Sequence, residues 1–386
     1  SLSMGLRQSL GLFMQPLTRD IAITVSDFTL AIAIQNLLWG LFQPVAGGLA
    51  ARYGFRPVMV GGAALYTVGM LILAFAQGAW SVIASAGVLI GIGMACTATA
   101  LAMSVASRVV SEARRSMVLG IVSAAGSVGA VLAAPLGQVL TTEHGWRIGV
   151  LSFFVLAAVM LPAAWIAGRA DQVPLPQERA HAATSGSAFA ALGFALREPS
   201  FVVMSVAYFV CGMQLIFLTT HLPAYLAICG MDPMLSATAL GVIGGFNIVG
   251  SVFFGWAGGR WNKLMLLGMI YVSRSIVLGW YFMLPPTPAT TIVFAACMGF
   301  LWLGVGPLVA GSVAEMFGLK WQAMLQGVAF MSHQFGSFVG AFGGGLIFDR
   351  LGSYDLAWQL GVGMGLVAGM IQITFALARP PARLAG

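Results

Sequence analysis

The chain has 386 residues, of which 59% are hydrophobic and only 8% are charged, and its formal net charge is +7. A soluble domain carries roughly 25% charged residues, so this composition excludes an ordinary soluble enzyme, and it also excludes a disordered or fibrous chain. The apolar runs are continuous and much longer than the alternating strands of about ten residues in a membrane β-barrel. The composition therefore predicts an all-α polytopic membrane protein.

Twelve apolar stretches are long enough for helices that cross a hydrocarbon core about 30 Å thick. In chain order, the predicted helices cover residues 1–18, 28–50, 57–77, 80–107, 116–141, 146–168, 199–228, 234–258, 263–284, 289–316, 322–348 and 355–378. A polar stretch at 169–198 divides them six and six. It predicts a linker between an N-terminal six-helix bundle at 1–168 and a C-terminal bundle at 199–386. Because Arg7 follows only six residues, we expect the first helix to be truncated.

The distribution of Lys and Arg predicts the orientation in the membrane. Thirteen of the 18 fall on the side that holds both termini, three (Arg19, Arg147 and Arg350) on the other side, and Arg7 and Arg274 inside helices. We therefore expect both termini and the linker in the cytoplasm, and the protein in the bacterial inner (plasma) membrane. The basic balance follows from this topology and indicates no nucleic-acid partner.

The ends of the second and eighth predicted helices carry the same pattern. Residues 47–57 read GGLAARYGFRP, and residues 255–263 read GWAGGRWNK. In each, small residues let neighbouring helix ends approach closely, and a tight turn with two cations follows. Recurrence six helices apart indicates a duplicated transporter. The candidate gating residues of the two loops are Gly47, Arg52, Gly54, Arg56 and Arg260.

The first of these loops resembles the signature of the major facilitator superfamily, G-x-L-A-D-R-x-G-R/K, with Ala51 in place of the acid. Further stretches resemble the bacterial monocarboxylate-transporter-like branch, near the oxalate/formate antiporter family. They are RQSLGLF at 7–13, GSVG at 126–129, APL at 134–136, GWR at 145–147, HLPAY at 221–225 and HQFGSF at 333–338. The resemblance implies two pseudo-symmetric six-helix halves and transport of a small organic anion, often a monocarboxylate, with a proton or by exchange.

Two arginines, Arg7 and Arg274, fall inside predicted helices, whereas all eleven acids fall at helix ends or in loops. A central arginine costs roughly 2.5–3.5 kcal/mol. With no buried acid to pair it, its natural counter-ion is a substrate anion bound bidentately. The resemblance also implies a functional cation at Arg7. The alternatives are that Arg7 lies near a misplaced membrane boundary and that neighbouring carbonyls and hydroxyls satisfy Arg274.

His333 and His221 are the only groups within predicted helices that change charge near neutral pH, so both are candidates for proton coupling. Gln214 and Asn247 belong to helices that line the cavity in this superfamily, and each offers amide donors to a carboxylate. For all four residues the alternative is a structural hydrogen bond. The candidate substrate-binding residues are Arg7, Gln214, Asn247, Arg274, His333 and Gln334.

The sequence thus predicts a secondary active transporter of a small organic anion, a monocarboxylate, with proton symport. Alternating access would rock residues 1–168 against 199–378 around a midplane site. An anion exchanger is the first alternative, and a proton-coupled drug or metabolite exporter, which usually needs an embedded acid, is the second. No P-loop, H-E-x-x-H or Cys/His cluster at metal spacing is present, so we expect no enzyme activity, metal or cofactor. We expect a monomer whose partners are the anion, protons and the lipid bilayer.

Overall fold

A computed structural model describes residues 2–175 and 186–378, which contain helices and no β-strand. The helices up to the predicted linker are α1 (Leu2–Ser9), α2 (Met14–Asp20), α3 (Val25–Tyr53), α4 (Phe55–Ala74), α5 (Ala79–Val82), α6 (Ile90–Thr97), α7 (Thr99–Val109), α8 (Glu112–His144), α9 (Trp146–Ala158) and α10 (Met160–Ala167). The others are α11 (Ala188–Ala195), α12 (Pro199–Ile228), α13 (Pro233–Gly258), α14 (Lys263–Met283), α15 (Pro288–Trp302), α16 (Val305–Phe317), α17 (Gln322–Leu351) and α18 (Asp355–Ala378). Residues 176–185 of the predicted linker and 379–386 of the predicted C-terminal bundle lie outside the described residues.

Local capping explains where several of these helices begin and end. The Thr24 hydroxyl accepts the Asp27 N–H at 3.1 Å, and the Asp27 carboxylate accepts the Thr24 N–H at 2.8 Å, which starts α3. At the other end of α3, Gly54 has φ +93°, a conformation that glycine adopts without strain. Asn262 starts α14 because its Oδ1 accepts the Leu264 N–H at 2.9 Å.

Four of the predicted helices are interrupted rather than continuous, and one of them, 146–168, is divided between α9 and α10 at the single residue Val159. A 3₁₀ turn at Leu10–Phe13 separates α1 from α2. The predicted helix 80–107 contains a π-helix at Ile83–Leu89, and Ala98 is extended between α6 and α7. The predicted helix 289–316 is divided between α15 and α16 at Leu303–Gly304. The prediction of continuous helices is therefore wrong at these points. Side chains from other helices bind the backbone at two of them, Gln35 at the Ala86 carbonyl of the π-helix and Asn247 at the Leu303 N–H.

Helix α11 lies inside the stretch that the sequence predicts as a polar linker. Its residues, AFAALGFA, are apolar, and the Ser187 hydroxyl accepts the Ala190 N–H at 3.3 Å to cap its first turn. Eight residues span only about 12 Å as a helix, which is too short to cross a membrane.

Ten helical segments among the described residues are long and apolar enough to cross a membrane. They are Val25–Tyr53, Phe55–Ala74, Ala79–Val109, Glu112–His144, Trp146–Gln172, Pro199–Ile228, Met234–Gly258, Lys263–Met283, Pro288–Phe317 and Asp355–Ala378. The other two predicted crossings are also helical, but one is split into the short helices α1 and α2. The other is α17, in which glycines and polar residues such as His333 and Gln334 lower the hydropathy.

The helices form two compact units. The first comprises Ser1–Val109, Ala125–Arg179 and Leu319–Gly327, and the second comprises Val110–Ala124, Ala180–Gly318 and Val328–Gly386. In the first unit α4 packs against α6 and α9, and in the second α14 packs against α18 and α13 against α15. Small residues permit these contacts. For example, a Cβ at Gly250 of α13 would lie only 1.9 Å from the Phe300 carbonyl oxygen of α15.

Candidate functional site

Arg7 lies near the end of α1 and is half-buried in the first unit. Its Nη2 donates a hydrogen bond to Asn36 Oδ1, and its Cζ lies 5.2 Å from the centroid of the Trp39 ring. Asn36 and Trp39 are three residues apart on α3, so they share one face of that helix. The Arg7 Nε has no hydrogen-bond partner, and no ion pair within the described residues involves Arg7. The guanidinium is thus held by neutral groups and not by an acid.

Neutral hydrogen bonds fix the Trp39 ring in this position. Trp39 Nε1 donates to Gln43 Oε1 at 3.0 Å, and Gln43 Nε2 donates to the Ala95 carbonyl at 2.9 Å. One turn earlier, Gln35 Nε2 donates to the Ala86 carbonyl in the π-helix at 2.7 Å. Neither glutamine is among the candidates predicted from the sequence. Their spacing of four on either side of Trp39, in a mostly apolar helix, is the signal that indicates them.

Two candidates of the second unit, Arg274 of α14 and Asn247 of α13, meet at the interruption between α15 and α16. Arg274 is fully buried, and it donates from Nη2 to the Leu301 carbonyl at 2.9 Å and from Nη1 to Cys211 Sγ at 3.1 Å. Asn247 Oδ1 accepts the Leu303 N–H at 3.3 Å. Because an interrupted helix leaves backbone groups without intrahelical partners, these side chains supply the missing hydrogen bonds.

Gln214 connects three helices of the second unit. Its Nε2 donates to Ser275 Oγ at 3.1 Å and to the Gly361 carbonyl at 2.8 Å, which joins α12 to α14 and α18. A Cβ at Gly365 would lie 2.1 Å from this Nε2, so α18 approaches Gln214 closely only because that residue is glycine. The amide nitrogen of Gln214 is therefore engaged in helix packing, whereas its Oε1 is buried without a hydrogen-bond partner.

His333 and Gln334 are adjacent, half-buried residues of α17. His333 Nδ1 lies 3.3 Å from Gln334 Oε1 and 3.4 Å from Ser337 Oγ. The imidazole also packs between two aromatic rings, with its centroid 4.6 Å from that of Tyr208 and 5.6 Å from that of Phe330. Its hydrogen-bond and ring partners are therefore neutral polar groups and aromatic faces.

His221, near the end of α12, has partners at both ring nitrogens. Its Nε2 lies 2.9 Å from the Ala341 carbonyl oxygen, and its Nδ1 lies 3.3 Å from the Tyr354 hydroxyl. A carbonyl only accepts, so Nε2 carries the proton and Nδ1 accepts from the tyrosine. Burial and, second, the nearby Asp349 raise the pKa of the Tyr354 phenol, which keeps this donor protonated. These contacts engage both ring nitrogens of His221.

The His221 contacts predict a structural effect of His221→Ala. The variant leaves the hydroxyl of the buried Tyr354 without its His221 partner and removes the side-chain hydrogen bond to the Ala341 carbonyl. This costs about 1–3 kcal/mol, so we expect a lower thermal midpoint in detergent. His144→Ala is the matched control, because the His144 side chain is 58% exposed at the end of α8. An unchanged midpoint of His221→Ala, together with loss of proton-driven uptake, would contradict the structural role.

The turn between α3 and α4 is closed by an acid that the sequence analysis did not single out. Asp171, which follows α10, accepts the Phe55 N–H at 2.8 Å and the Arg56 N–H at 3.0 Å. These are the first N–H groups of α4, where the helix dipole favours a carboxylate. A Cβ at Gly54 would lie 2.7 Å from Asp171 Oδ2, so glycine is required here. Asp171 thus brings a carboxylate to the loop that has Ala51 in place of the signature acid.

The other loop candidates make close backbone or aromatic contacts. A Cβ at Gly47 would lie 2.3 Å from the Met324 backbone nitrogen at the start of α17, within the first unit. Each arginine of the two loops packs against an aromatic ring, Arg52 at 5.2 Å from Tyr53, Arg56 at 4.7 Å from Trp165 and Arg260 at 4.3 Å from Trp256. The contacts orient these cations without neutralising them.

The structure therefore groups some of the candidates and separates others. Arg274 and Asn247 meet at one helix interruption, His333 and Gln334 touch each other, and Arg7 has its own partners in the first unit. Across residues 2–175 and 186–378, no three His, Cys, Asp or Glu side chains are grouped as metal ligands would be.

Comparison with known sequences gives a consistent picture. The sequence profile of the Major Facilitator Superfamily matches residues 1–341. Monocarboxylate transporter 13 of Rattus norvegicus is 27% identical over 345 residues, which cover 88% of this chain and 77% of that protein. The uncharacterized MFS-type transporter YcxA of Bacillus subtilis (strain 168) is 25% identical over 372 residues, or 91% of this chain and 86% of that protein.

Solved structures share the fold at low sequence identity. The E. coli fucose:proton symporter FucP matches with a TM-score of 0.73 and 15% identity over 96% of both chains. The proton:xylose symporter XylE matches with a TM-score of 0.70 and 12% identity over 98% of this chain and 93% of that chain. The matches confirm the predicted resemblance and the predicted fold class, an all-α polytopic membrane protein of two six-helix halves.

Proposed function

This chain belongs to the major facilitator superfamily, whose members are membrane transporters and not enzymes, and we propose that it transports a small organic anion. The proposed substrate is a monocarboxylate, moved by alternating access with proton symport across the bacterial inner membrane. Low-identity relatives are named monocarboxylate transporters, and two structural neighbours are named proton symporters. The observation that carries the proposal is Arg7, an arginine that neutral side chains hold inside the first unit.

Arg7 is suited to bind a carboxylate because its charge has no protein counter-ion within the described residues. The guanidinium stays charged at any physiological pH and offers a planar fork that matches a carboxylate. Asn36 accepts a hydrogen bond from Nη2, and the Trp39 ring packs against the guanidinium, so both residues orient this group. The buried Nε has no hydrogen-bond partner. A monocarboxylate would therefore gain a charge-assisted, bidentate contact that an uncharged solute lacks.

His333 is the residue to which we assign proton coupling. It is half-buried, and its hydrogen-bond and ring partners Gln334, Ser337 and Tyr208 are neutral groups. His221 suits this role less well, because a carbonyl and a tyrosine hydroxyl engage both of its nitrogens. A proton on His333 would balance the charge of a bound monocarboxylate, so the two ligands would favour each other's binding.

Anion exchange is the second candidate, and the placement of the acids favours it. Every acid among the described residues lies at a helix end or in a connection, such as Asp27 in the first turn of α3 and Glu315 in the last turn of α16. With no carboxylate in the middle of these spans, proton coupling depends on histidine or on the substrate itself. An exchanger needs no group that carries a proton.

The test of the proposed function combines binding with transport. Thermal unfolding of the purified protein is followed with acetate, lactate, pyruvate and oxalate, and with lactamide as an uncharged control of similar shape. We expect stabilisation by a monocarboxylate, about 2.7 kcal/mol at a concentration of 100 Kd, and none by lactamide. In proteoliposomes, an inward proton gradient should then drive accumulation of that monocarboxylate, and a protonophore should abolish it.

Other outcomes point to other functions. Equal stabilisation by lactate and lactamide would contradict anion recognition. Uptake that ignores the proton gradient but requires an anion inside the liposome would establish exchange. Gradient-driven movement of a cationic drug, without binding of any carboxylate, would establish a proton-coupled drug exporter.

A further inference from the structure

An apolar groove runs between α3 and α4 in the first unit, and α6 forms its floor. Its volume is about 540 Å³. Val45 and Leu49 of α3 form one wall, Leu65 of α4 belongs to the other, and Ile92 and Cys96 lie at the floor. The wall residues are well exposed, with 51% of Val45 and 42% of Leu49 accessible. Because α3 and α4 are both long and apolar enough to span a membrane, this surface can contact lipid.

The groove has the dimensions of one lipid chain. Its lining residues on α3 run from Phe42 to Tyr53, which corresponds to about 16 Å of helix. This length is close to half of a hydrocarbon core about 30 Å thick. Tyr53 and Pro57 lie on either side of the tight turn at Gly54, so the groove starts at the helix ends and extends about one leaflet deep.

A glycine creates part of the space. Gly61 of α4 lines the groove, and a Cβ built there would find no atom within 4 Å. The neighbouring Gly62 instead lets α4 approach α6 closely, because a Cβ built there would lie only 2.2 Å from Cys96 Cβ. A larger side chain at Gly61 can therefore enter the groove without disturbing the contact between α4 and α6.

The open end of the groove is cationic. Tyr53 lines this end, and the Cζ of Arg52 lies 5.2 Å from its ring centroid. No ion pair in the described part of the chain involves Arg52 or Arg56. The acid of the turn, Asp171, accepts two backbone N–H groups at the start of α4. Basic residues at the membrane surface attract anionic headgroups at about 1 kcal/mol each.

We propose that this groove binds one anionic phospholipid, whose acyl chain lies between α3 and α4 and whose phosphate contacts Arg52. The apolar walls bind the chain by burying it, and the arginine selects the headgroup. The site lies entirely within the first unit and does not include Arg7, so the inference is independent of the proposed transport function.

Native mass spectrometry of the purified protein tests this site. The protein is titrated with phosphatidylglycerol and, separately, with phosphatidylcholine of the same chain composition. Wild type should retain one phosphatidylglycerol in preference to phosphatidylcholine, by about fivefold for a single arginine. Gly61→Leu should lose the bound lipid of either kind, and Arg52→Gln should keep lipid binding but lose the headgroup preference.

Matched controls separate groove filling from misfolding. Gly363→Leu makes the same change at an exposed glycine of α18, where a Cβ also meets no atom within 4 Å, and it should retain lipid as wild type does. Val45→Phe, from the opposite wall, should reproduce the loss if Gly61→Leu does not fold. Wild-type retention by folded Gly61→Leu or Val45→Phe would overturn the proposal. So would equal binding of the two lipids to wild type, or a second copy of the chain bound in place of lipid.

Discussion

Arg7→Ala is expected to abolish carboxylate binding, and with it transport. Removing one partner of a desolvated charge pair costs about 2–5 kcal/mol, which is a loss of affinity of at least about thirtyfold. The neighbours Asn36 and Trp39 remain, but neither of them carries a positive charge. The measurement is the affinity for the monocarboxylate that stabilises wild type, by calorimetry in detergent, followed by uptake into proteoliposomes.

Two further variants make the Arg7 result specific. Arg7→Lys keeps the charge but loses the planar fork, so its affinity should lie between those of wild type and Arg7→Ala. Arg350→Ala removes an exposed arginine at the end of α17 and should bind as wild type does. Wild-type affinity in folded Arg7→Ala protein would remove Arg7 from the binding site and leave the family assignment intact.

His333→Gln is expected to uncouple anion transport from the proton gradient. Glutamine keeps a polar group near Ser337 and Tyr208 but cannot take up a proton. Coupling between two ligands is typically 5–150-fold in affinity, so the stimulation of uptake by the gradient should fall by about tenfold. Counterflow, in which labelled anion exchanges against unlabelled anion without a gradient, should largely persist.

The controls for His333→Gln are chosen among the other histidines. His144→Gln, at an exposed position, should leave both assays unchanged. Full proton-driven accumulation by His333→Gln would show that His333 is structural and that His221 or the substrate carries the proton. Loss of counterflow as well as of accumulation would instead indicate that His333 binds the anion.

The positions and order of the long helical segments could be predicted from local properties of the chain. In a membrane the backbone must satisfy its own hydrogen bonds, so an apolar run of about 20 residues forms a helix whatever its neighbours are. Each of the twelve predicted segments overlaps helical residues in the structure. The turn after α3 could also be predicted locally, because glycine adopts the φ of +93° at Gly54 without strain.

The sequence also indicates which arginines lie inside helices. It predicts Arg7 and Arg274 inside helices, and both lie within helices. Their environments were not predictable. Arg274 is fully buried against Cys211 and Leu301, whereas Arg7 is half-buried against Asn36 and Trp39. The same residue type in the same kind of helix therefore has two different surroundings.

The sequence by itself determined the class of protein, the helical segments and the related turns of the two halves, because each depends on composition or on a few adjacent residues. Only the tertiary structure decided where helices are interrupted and which polar groups meet there. Gln43 contacts Ala95 from 52 residues away, and Asp171 contacts Phe55 from 116 residues away. A hydrogen bond is satisfied by a partner's distance and angle, whatever its position along the chain. The local pattern therefore shows that a buried polar group needs a partner, and the packing of the helices decides which partner it finds.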